Sequence, residues 1–195
     1  MEELRSPKQR LSSAEPSKRS RLPWALPQLR VAVVNGCSAE GVAVAELFAG
    51  AGLRVTAIDP RRDAGKQMAS LLGIRYAEAD TSSPESLRTA LDSTLRAWRD
   101  IDAVICLDMP KHLLTTVAGA LSDYRRIFPR ISSYESRIIL VTAGAADRET
   151  AGAIEMEGNI IQEIVAEEDT APDTTARLCL FLALPVNSSL HRITV

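Results

Sequence analysis

Residues 30–52 read RVAVVNGCSAEGVAVAELFAGAG, and this segment decides the fold. Residues 30–35 are a short β-branched run, which is typical of a strand buried on both faces of a parallel sheet. Residues 41–52 predict a helix that stops at Gly50 and Gly52. A buried strand, a turn that contains glycine and a helix together form the first unit of an α/β sheet.

The same alternation of strand and helix continues along the chain. The helix at 83–100 has a clear start, because Ser83 suits an N-cap and Pro84 the first helical position. The whole pattern predicts a doubly wound parallel α/β sheet of the Rossmann-like type, with about six strands and helices on both faces. We predict further strands at 54–59, 74–80, 101–108, 136–144 and 189–195, and helices at 61–73, 83–100, 111–128, 150–169 and 171–184.

The first 28 residues differ in composition from the rest. Residues 1–30 carry seven Lys or Arg and three acids, a net charge of +4, so the remaining chain is near −6 for a total of −2. Residues 22–27, LPWALP, place Trp24 in an apolar cluster between two prolines. We therefore expect residues 1–28 to be a mobile or docking N-terminal arm and residues 29–195 to form one domain.

Composition limits the possible partners. A net charge of −2 gives no reason to expect nucleic acid or an acidic membrane surface, and no apolar run reaches the roughly 18 residues of a membrane span. Cys37, Cys106 and Cys179 are far apart, and only two histidines could join them, so we expect no metal site. Free thiols of this kind are typical of a reducing compartment, which predicts a cytoplasmic protein.

The order of segments after residue 29 resembles that of the short-chain dehydrogenase/reductase family. The family's first loop reads Thr-Gly-x-x-x-Gly-x-Gly. With AVAELFA (43–49) aligned without a gap, its three glycine places fall on Asn35, Ala39 and Gly41. If NGCSA sets the register instead, Gly36 takes the first place and a one-residue insertion brings Gly41 into the second. Both registers depart from the family pattern.

The resemblance also implies where a dinucleotide would bind. Asp59 corresponds to the acid that accepts hydrogen bonds from the adenosine ribose, and Asp80 to a residue that contacts the adenine. Both could instead be polar residues that end strands, and Arg61 and Arg62 could either read a 2′-phosphate or begin a helix. Glu40 places a negative charge beside the phosphate position, so we expect no cofactor or weak NAD(P) binding. The candidate contacts, vestigial or weak, are Asn35, Gly36, Ala39, Gly41, Asp59 and Asp80.

The residues that the family's reaction requires are absent. That reaction uses a Tyr that transfers a proton, a Lys four residues later, a Ser and an Asn. No Tyr-x-x-x-Lys occurs, and the last lysine is Lys111. The Ser place falls on Ala143, with Thr142 beside it, and the helix at 111–128 contains no Asn. We therefore expect no catalytic residues and no activity of the chain alone.

Three functions are compatible with these residues. The first is a non-catalytic subunit, a pseudoenzyme that forms a hetero-oligomer with an active subunit of the same fold, or a homodimer, through helices 111–128 and 150–169. The second is an NAD(P)-binding sensor without turnover. The third is an atypical oxidoreductase that uses Thr142 and Tyr134. The resemblance further implies a shortened fold, because almost no residues remain between 169 and 172 for the family's next strand and substrate-covering loop.

Overall fold

A computed structural model describes residues 29–129, 136–143, 155–156, 159–167, 169–184 and 192–194. The strands are β1 Arg30–Val34, β2 Arg54–Asp59, β3 Arg75–Glu78, β4 Ala103–Leu107, β5 Arg137–Ala143, β6 Glu155–Met156, β7 Asn159–Ala166 and β8 Arg192–Thr194. The helices are α1 Ala39–Gly50, α2 Arg62–Leu72, α3 Pro84–Trp98, α4 Leu114–Ile127 and α5 Pro172–Ala183, with a short 3-10 helix at Lys111–Leu113. The predicted arm at 1–28 lies outside the described residues.

The strands form one sheet in the order β3-β2-β1-β4-β5-β7-β6. Strand β8 pairs in parallel with β7 as well. It pairs with residues 163–165 of β7, whereas β6 pairs with Asn159 and Ile160. Every pairing is parallel except that of the short strand β6 with β7. The predicted doubly wound parallel sheet is confirmed, with seven parallel strands described where about six were expected.

Helices cover both faces of the sheet, as predicted. Helices α1, α2 and α5 pack on one face, where Phe48 of α1 and Cys179 of α5 belong to the same buried cluster. Helices α3 and α4 pack on the other, through residues such as Leu91 and Val117. Successive strand residues alternate between the clusters, since Val33 joins the first and Val34 the second. This alternation is the period-two pattern of a strand buried on both sides.

The predicted helix at 150–169 is wrong. The described residues of this range form two strands and no helix, with β7 at Asn159–Ala166 between β5 on one side and β6 and β8 on the other. The Glu, Gln and Ala residues of the segment favour a helix locally, but its Ile and Val residues gain more from burial in the sheet. The strand thought to be missing from a shortened fold is therefore present. The link from β5 to β7 is short instead, since it comprises only residues 144–158.

The start of α3 is confirmed in detail. The Oγ of Ser83 accepts a 3.3 Å hydrogen bond from the N–H of Ser86, and Pro84 is the first helical residue. Across the described part of the chain, no helix is long and apolar enough to cross a membrane.

Candidate functional site

The candidate site lies at the carboxyl ends of β1, β2, β3 and β4. The chain runs outward from β1 through β2 to β3 on one side, and from β4 to β5 on the other. In open α/β sheets, ligands bind in the crevice at the carboxyl ends of the two strands where the strand order changes side. The turn from β1 to α1 lies at this point and contains four of the six candidate residues, Asn35, Gly36, Ala39 and Gly41.

Two glycines allow this turn to be tight. A Cβ at Gly41 would lie 2.6 Å from the carbonyl carbon and oxygen of Gly36, and a Cβ at Gly36 would lie 2.9 Å from the Cβ of Ala57. Neither contact leaves room for a side chain. Ser38 caps α1, because its Oγ accepts a 3.0 Å hydrogen bond from the N–H of Gly41. The turn thus has a defined shape that depends on Gly36, Ser38 and Gly41.

Asn35 ties this turn to two neighbouring loops. Its φ of 58° is in the left-handed region, which asparagine tolerates better than most residues. Its Nδ2 donates a 2.6 Å hydrogen bond to the carbonyl oxygen of Leu107, and its Oδ1 accepts a 2.5 Å hydrogen bond from the hydroxyl of Thr81. The Asn35 side chain therefore joins the ends of β1 and β4 to the loop after β3.

Asp59 is the last residue of β2, and its carboxylate is fully engaged. Oδ1 accepts hydrogen bonds from the N–H and the Nε of Arg61, both at 2.9 Å. Oδ2 accepts from the N–H of Cys37 and from a terminal guanidinium nitrogen of Arg61, both at 3.0 Å. A carboxylate has about four acceptor positions, so these donors saturate it. Asp59 is only 1% exposed.

The pKa of Asp59 reflects the same contacts. Burial by itself would raise this pKa, but the hydrogen bonds from the Arg61 side chain and from the Arg61 and Cys37 backbones lower it below its ordinary value. The carboxylate is therefore an anion that is neutralised from within the chain. Its own main-chain carbonyl is also used, since it accepts a 2.7 Å hydrogen bond from the hydroxyl of Tyr76.

The other two candidate positions are more open. Asp80 is exposed, and its Oδ1 accepts hydrogen bonds from the N–H and the hydroxyl of Ser82 at 2.9 and 2.6 Å, which lower the pKa of Asp80. Ala39 is exposed at the first position of α1, and Glu40 beside it is half-buried. The Oδ1 of Asp80 is thus hydrogen-bonded within its own loop, although the residue faces water.

The structure unites some of the predicted residues and not others. Asn35, Gly36, Gly41 and Asp59 form one connected unit through the β1–α1 turn, whereas Asp80 is connected to it through its chain neighbours, Ala79 and Thr81. Sequence reasoning missed the roles of Thr81 and of the Leu107 carbonyl. It also missed the pairing of Arg61 with Asp59, for which the spacing of two residues was an available signal.

Of Thr142 and Tyr134, the two residues considered for catalysis, only Thr142 lies among the described residues. Thr142, on β5, has a buried hydroxyl without a hydrogen-bond partner. Tyr76 bonds to the backbone of Asp59, and Tyr124 on α4 packs against Phe128 with ring centroids 4.8 Å apart. Tyr134 lies outside the described residues. Among those that are described, no group of three or more His, Cys, Asp or Glu is arranged to hold a metal ion.

Comparison with known proteins identifies the fold. No protein-family model and no curated protein sequence matches the chain. Among solved structures, similar folds include a hydroxysteroid dehydrogenase from Escherichia coli, with 16% identity and a TM-score of 0.69, over 87% of this chain and 97% of that one. A short-chain type dehydrogenase/reductase from Mycobacterium marinum has 15% identity and a TM-score of 0.70, over 87% and 94%.

A third similar structure is a short-chain dehydrogenase/reductase, glucose/ribitol dehydrogenase, from Brucella melitensis. It shares 17% identity and a TM-score of 0.63, over 86% of this chain and 96% of that one. The chain therefore has the fold of the short-chain dehydrogenases/reductases, as the sequence resemblance predicted. Identities this low establish the fold and leave the function to be argued from the site.

Proposed function

We propose that this chain is a non-catalytic, short-chain dehydrogenase-like subunit that assembles with an active subunit of the same fold. The observation that carries this proposal is the link between β5 and β7. It comprises residues 144–158, which include no tyrosine, lysine, serine or histidine. This part of the chain therefore supplies neither the tyrosine that transfers a proton nor the lysine that assists it in the reaction of the family that the sequence resembles.

The cofactor residues support the same proposal. The Asp59 carboxylate is saturated by Cys37 and Arg61, so it has no acceptor left for a ribose hydroxyl. The Asp80 carboxylate already accepts two hydrogen bonds from Ser82. We propose that the chain binds NAD(P) weakly or not at all.

Helix α4 is the proposed partner surface. Of the two helices expected to form an interface, the one at 150–169 does not exist, so only α4 is retained from that prediction. Ile127, its last residue, is 64% exposed, and Phe128 just beyond it is 42% exposed. Both border a groove of about 560 Å³ between α3 and α4, which also contains Tyr124 and Arg88. Exposed apolar side chains that border a groove are typical of a protein interaction site.

The catalytic half of the proposal is tested with the purified chain. We expect no oxidation or reduction of alcohols, aldehydes or ketones in the presence of NAD(H) or NADP(H), measured by absorbance at about 340 nm. Turnover that co-purifies with the chain through two chromatographic steps, and that disappears in an Asp59→Ala variant, would overturn it.

The assembly half is tested by co-purification from the native source. We expect a partner with the short-chain dehydrogenase fold, identified by mass spectrometry, whose recovery falls at least about tenfold with the double variant Ile127→Ser/Phe128→Ser. Leu71→Ser is the matched control, because Leu71 is 76% exposed on α2 and lies away from the groove. Equal loss of the partner in both variants, or a homogeneous homo-oligomer without any partner, would contradict the proposal.

A second candidate is a dinucleotide-binding sensor without turnover. The observation in its favour is the β1–α1 turn, which keeps its tight Gly36–Gly41 contact and the Ser38 cap. Such a turn brings backbone N–H groups to a helix N-terminus, where a pyrophosphate can bind. This candidate predicts saturable NAD(H) or NADP(H) binding to the unmodified chain by calorimetry, lost in Asp59→Ala. Absence of binding at millimolar cofactor would exclude it.

A further inference from the structure

We propose that Arg61 acts as an internal occupant of a ribose-binding carboxylate, and that its side chain alone keeps a nucleoside diol from Asp59. The inference deepens the proposed function, because it rests on the proposed absence of cofactor binding and gives that absence a cause. It also makes Arg61 the residue that decides whether this chain can bind a nucleotide.

The position of Asp59 is the first step. Asp59 ends β2, 24 positions after Asn35, which directly follows β1. In dinucleotide-binding sheets of this topology, an acid about 20 residues beyond the first turn bonds the ribose hydroxyls. The N–H of Cys37, which belongs to that turn, already donates to Asp59 at 3.0 Å. The carboxylate is therefore fixed in the place from which it would bind a ribose.

The number of hydrogen bonds is the second step. Of the four donors to Asp59, two belong to the Arg61 guanidinium and two to backbone N–H groups. The guanidinium gives one hydrogen bond to each carboxylate oxygen, and so does the backbone. Without the Arg61 side chain, each oxygen keeps one backbone donor and regains one acceptor position. Two free acceptors on one carboxylate match the two hydroxyls of a vicinal diol.

The exposure of Arg61 is the third step. Its side chain is 54% exposed, whereas the carboxylate beneath it is almost fully buried. Arg61 precedes α2 and makes no side-chain hydrogen bond to cap that helix. Both hydrogen bonds described for its side chain are to Asp59. Removing the side chain therefore uncovers the carboxylate while the backbone contacts that orient Asp59 remain.

Arg62 provides a matched control. It is also an exposed arginine, adjacent in sequence, but its side chain pairs with Glu78 at 3.5 Å and not with Asp59. Arg62→Ala removes the same charge as Arg61→Ala from the same region. If the change in net charge alone increased NAD⁺ binding, both variants would bind more tightly. If uncovering Asp59 is the cause, only Arg61→Ala will bind more tightly.

The experiment measures NAD⁺ binding by calorimetry to the full chain and to both variants. We expect Arg61→Ala to bind at least about tenfold more tightly than the unmodified chain, and Arg62→Ala to match the unmodified chain. Lysine cannot bond both carboxylate oxygens with one planar group, so the NAD⁺ affinity of Arg61→Lys should lie between that of the unmodified chain and that of Arg61→Ala. This variant carries the test if Arg61→Ala fails to fold. No gain in the folded variant, or an equal gain in Arg62→Ala, would overturn the inference.

A second probe isolates the ribose. In Arg61→Ala, adenosine should shift the backbone N–H resonance of Cys37, which donates to Asp59, and 2′,3′-dideoxyadenosine should not, because it lacks the diol. Equal shifts with both nucleosides would also overturn the inference. Turnover by the unmodified chain would instead contradict the proposed function, so the two failures can be told apart.

Discussion

Asn35 and Leu107 are joined by a 2.6 Å hydrogen bond from the Asn35 Nδ2 to the Leu107 carbonyl oxygen, across 72 positions of the chain. Asn35 directly follows β1 and Leu107 ends β4, and between these two parallel strands the order of the sheet changes from one side to the other. The bond links these strand ends beside the crevice in which sheets of this topology bind ligands. The side chain of Asn35, on which the ungapped register of the family's loop places a glycine, therefore serves the structure of the sheet.

Substitution of Asn35 separates its hydrogen bonds from its backbone conformation. Asn35→Gly loses the bonds to Leu107 and Thr81 but keeps access to a φ of 58°, and we expect a loss of about 1–2 kcal/mol in the free energy of unfolding. Asn35→Ala loses the bonds and also adopts a left-handed conformation, at a cost of about 1 kcal/mol more. Urea unfolding measures both. An alanine variant as stable as the glycine variant would contradict this account.

Two glycines of α1 should respond to alanine in opposite directions. Gly41→Ala would place a Cβ 2.6 Å from the backbone of Gly36, so we expect a loss of at least about 2 kcal/mol in the free energy of unfolding. A Cβ at Gly50 would have no atom within 4 Å, so Gly50→Ala should increase the free energy of unfolding by up to about 1 kcal/mol, because alanine favours a helix more than glycine does. Thermal unfolding compares them. Equal effects of the two substitutions would show that the Gly36–Gly41 contact is not tight in solution.

The lowered pKa of Asp59 predicts a dependence of stability on pH. A carboxyl whose pKa is lower in the folded state stabilises the fold above its unfolded pKa of about 4, and this contribution is lost as the pH falls through the folded value. We therefore expect the free energy of unfolding to fall more steeply below about pH 5 in the unmodified chain than in Asp59→Asn. Asp80 and Asp123 also have lowered pKa values, but these two residues are present in the unmodified chain and in Asp59→Asn alike. Parallel curves would contradict the role of Asp59.

The thiols should differ in reactivity. Burial raises the pKa of Cys106 and Cys179 to about 12, whereas Cys37 is half-buried, with a pKa raised by burial and by the nearby Asp59 charge. Since only thiolates react, we expect a single, slow reaction per chain with Ellman's reagent near pH 8 and three reactions in denaturant. Cys37→Ser should abolish the native reaction. Two rapid reactions in the folded protein would contradict the described core.

Much of the fold could be predicted from local patterns. The strands β1, β2, β4 and β5 are runs of buried Val, Ile and Ala, and the start of α3 is marked by Ser83 and Pro84. Strand β7 could not be predicted, because its glutamate and glutamine favour a helix, and only pairing with distant β5 and β8 makes it a strand. Long-range pairing of this kind leaves no signal within a short window.

The candidate site divides in the same way. The turn at Gly36 and Gly41 could be located from the spacing of strand and helix. The Asn35 contact with Leu107 could not, since it joins strands that are adjacent only after the sheet has formed. The pairing of Arg61 with Asp59 is local, but whether an exposed arginine turns back to a carboxylate depends on how deeply the carboxylate is buried, which is a property of the whole fold.

The packing of α5 against α1 has a consequence for synthesis of the protein. Phe48 on α1 and Leu182 on α5 belong to one buried cluster, although α5 begins at Pro172. On the ribosome, α1 emerges long before the helix that covers it. For most of translation the nascent chain therefore presents an apolar face to solvent, which is the kind of surface that general chaperones bind.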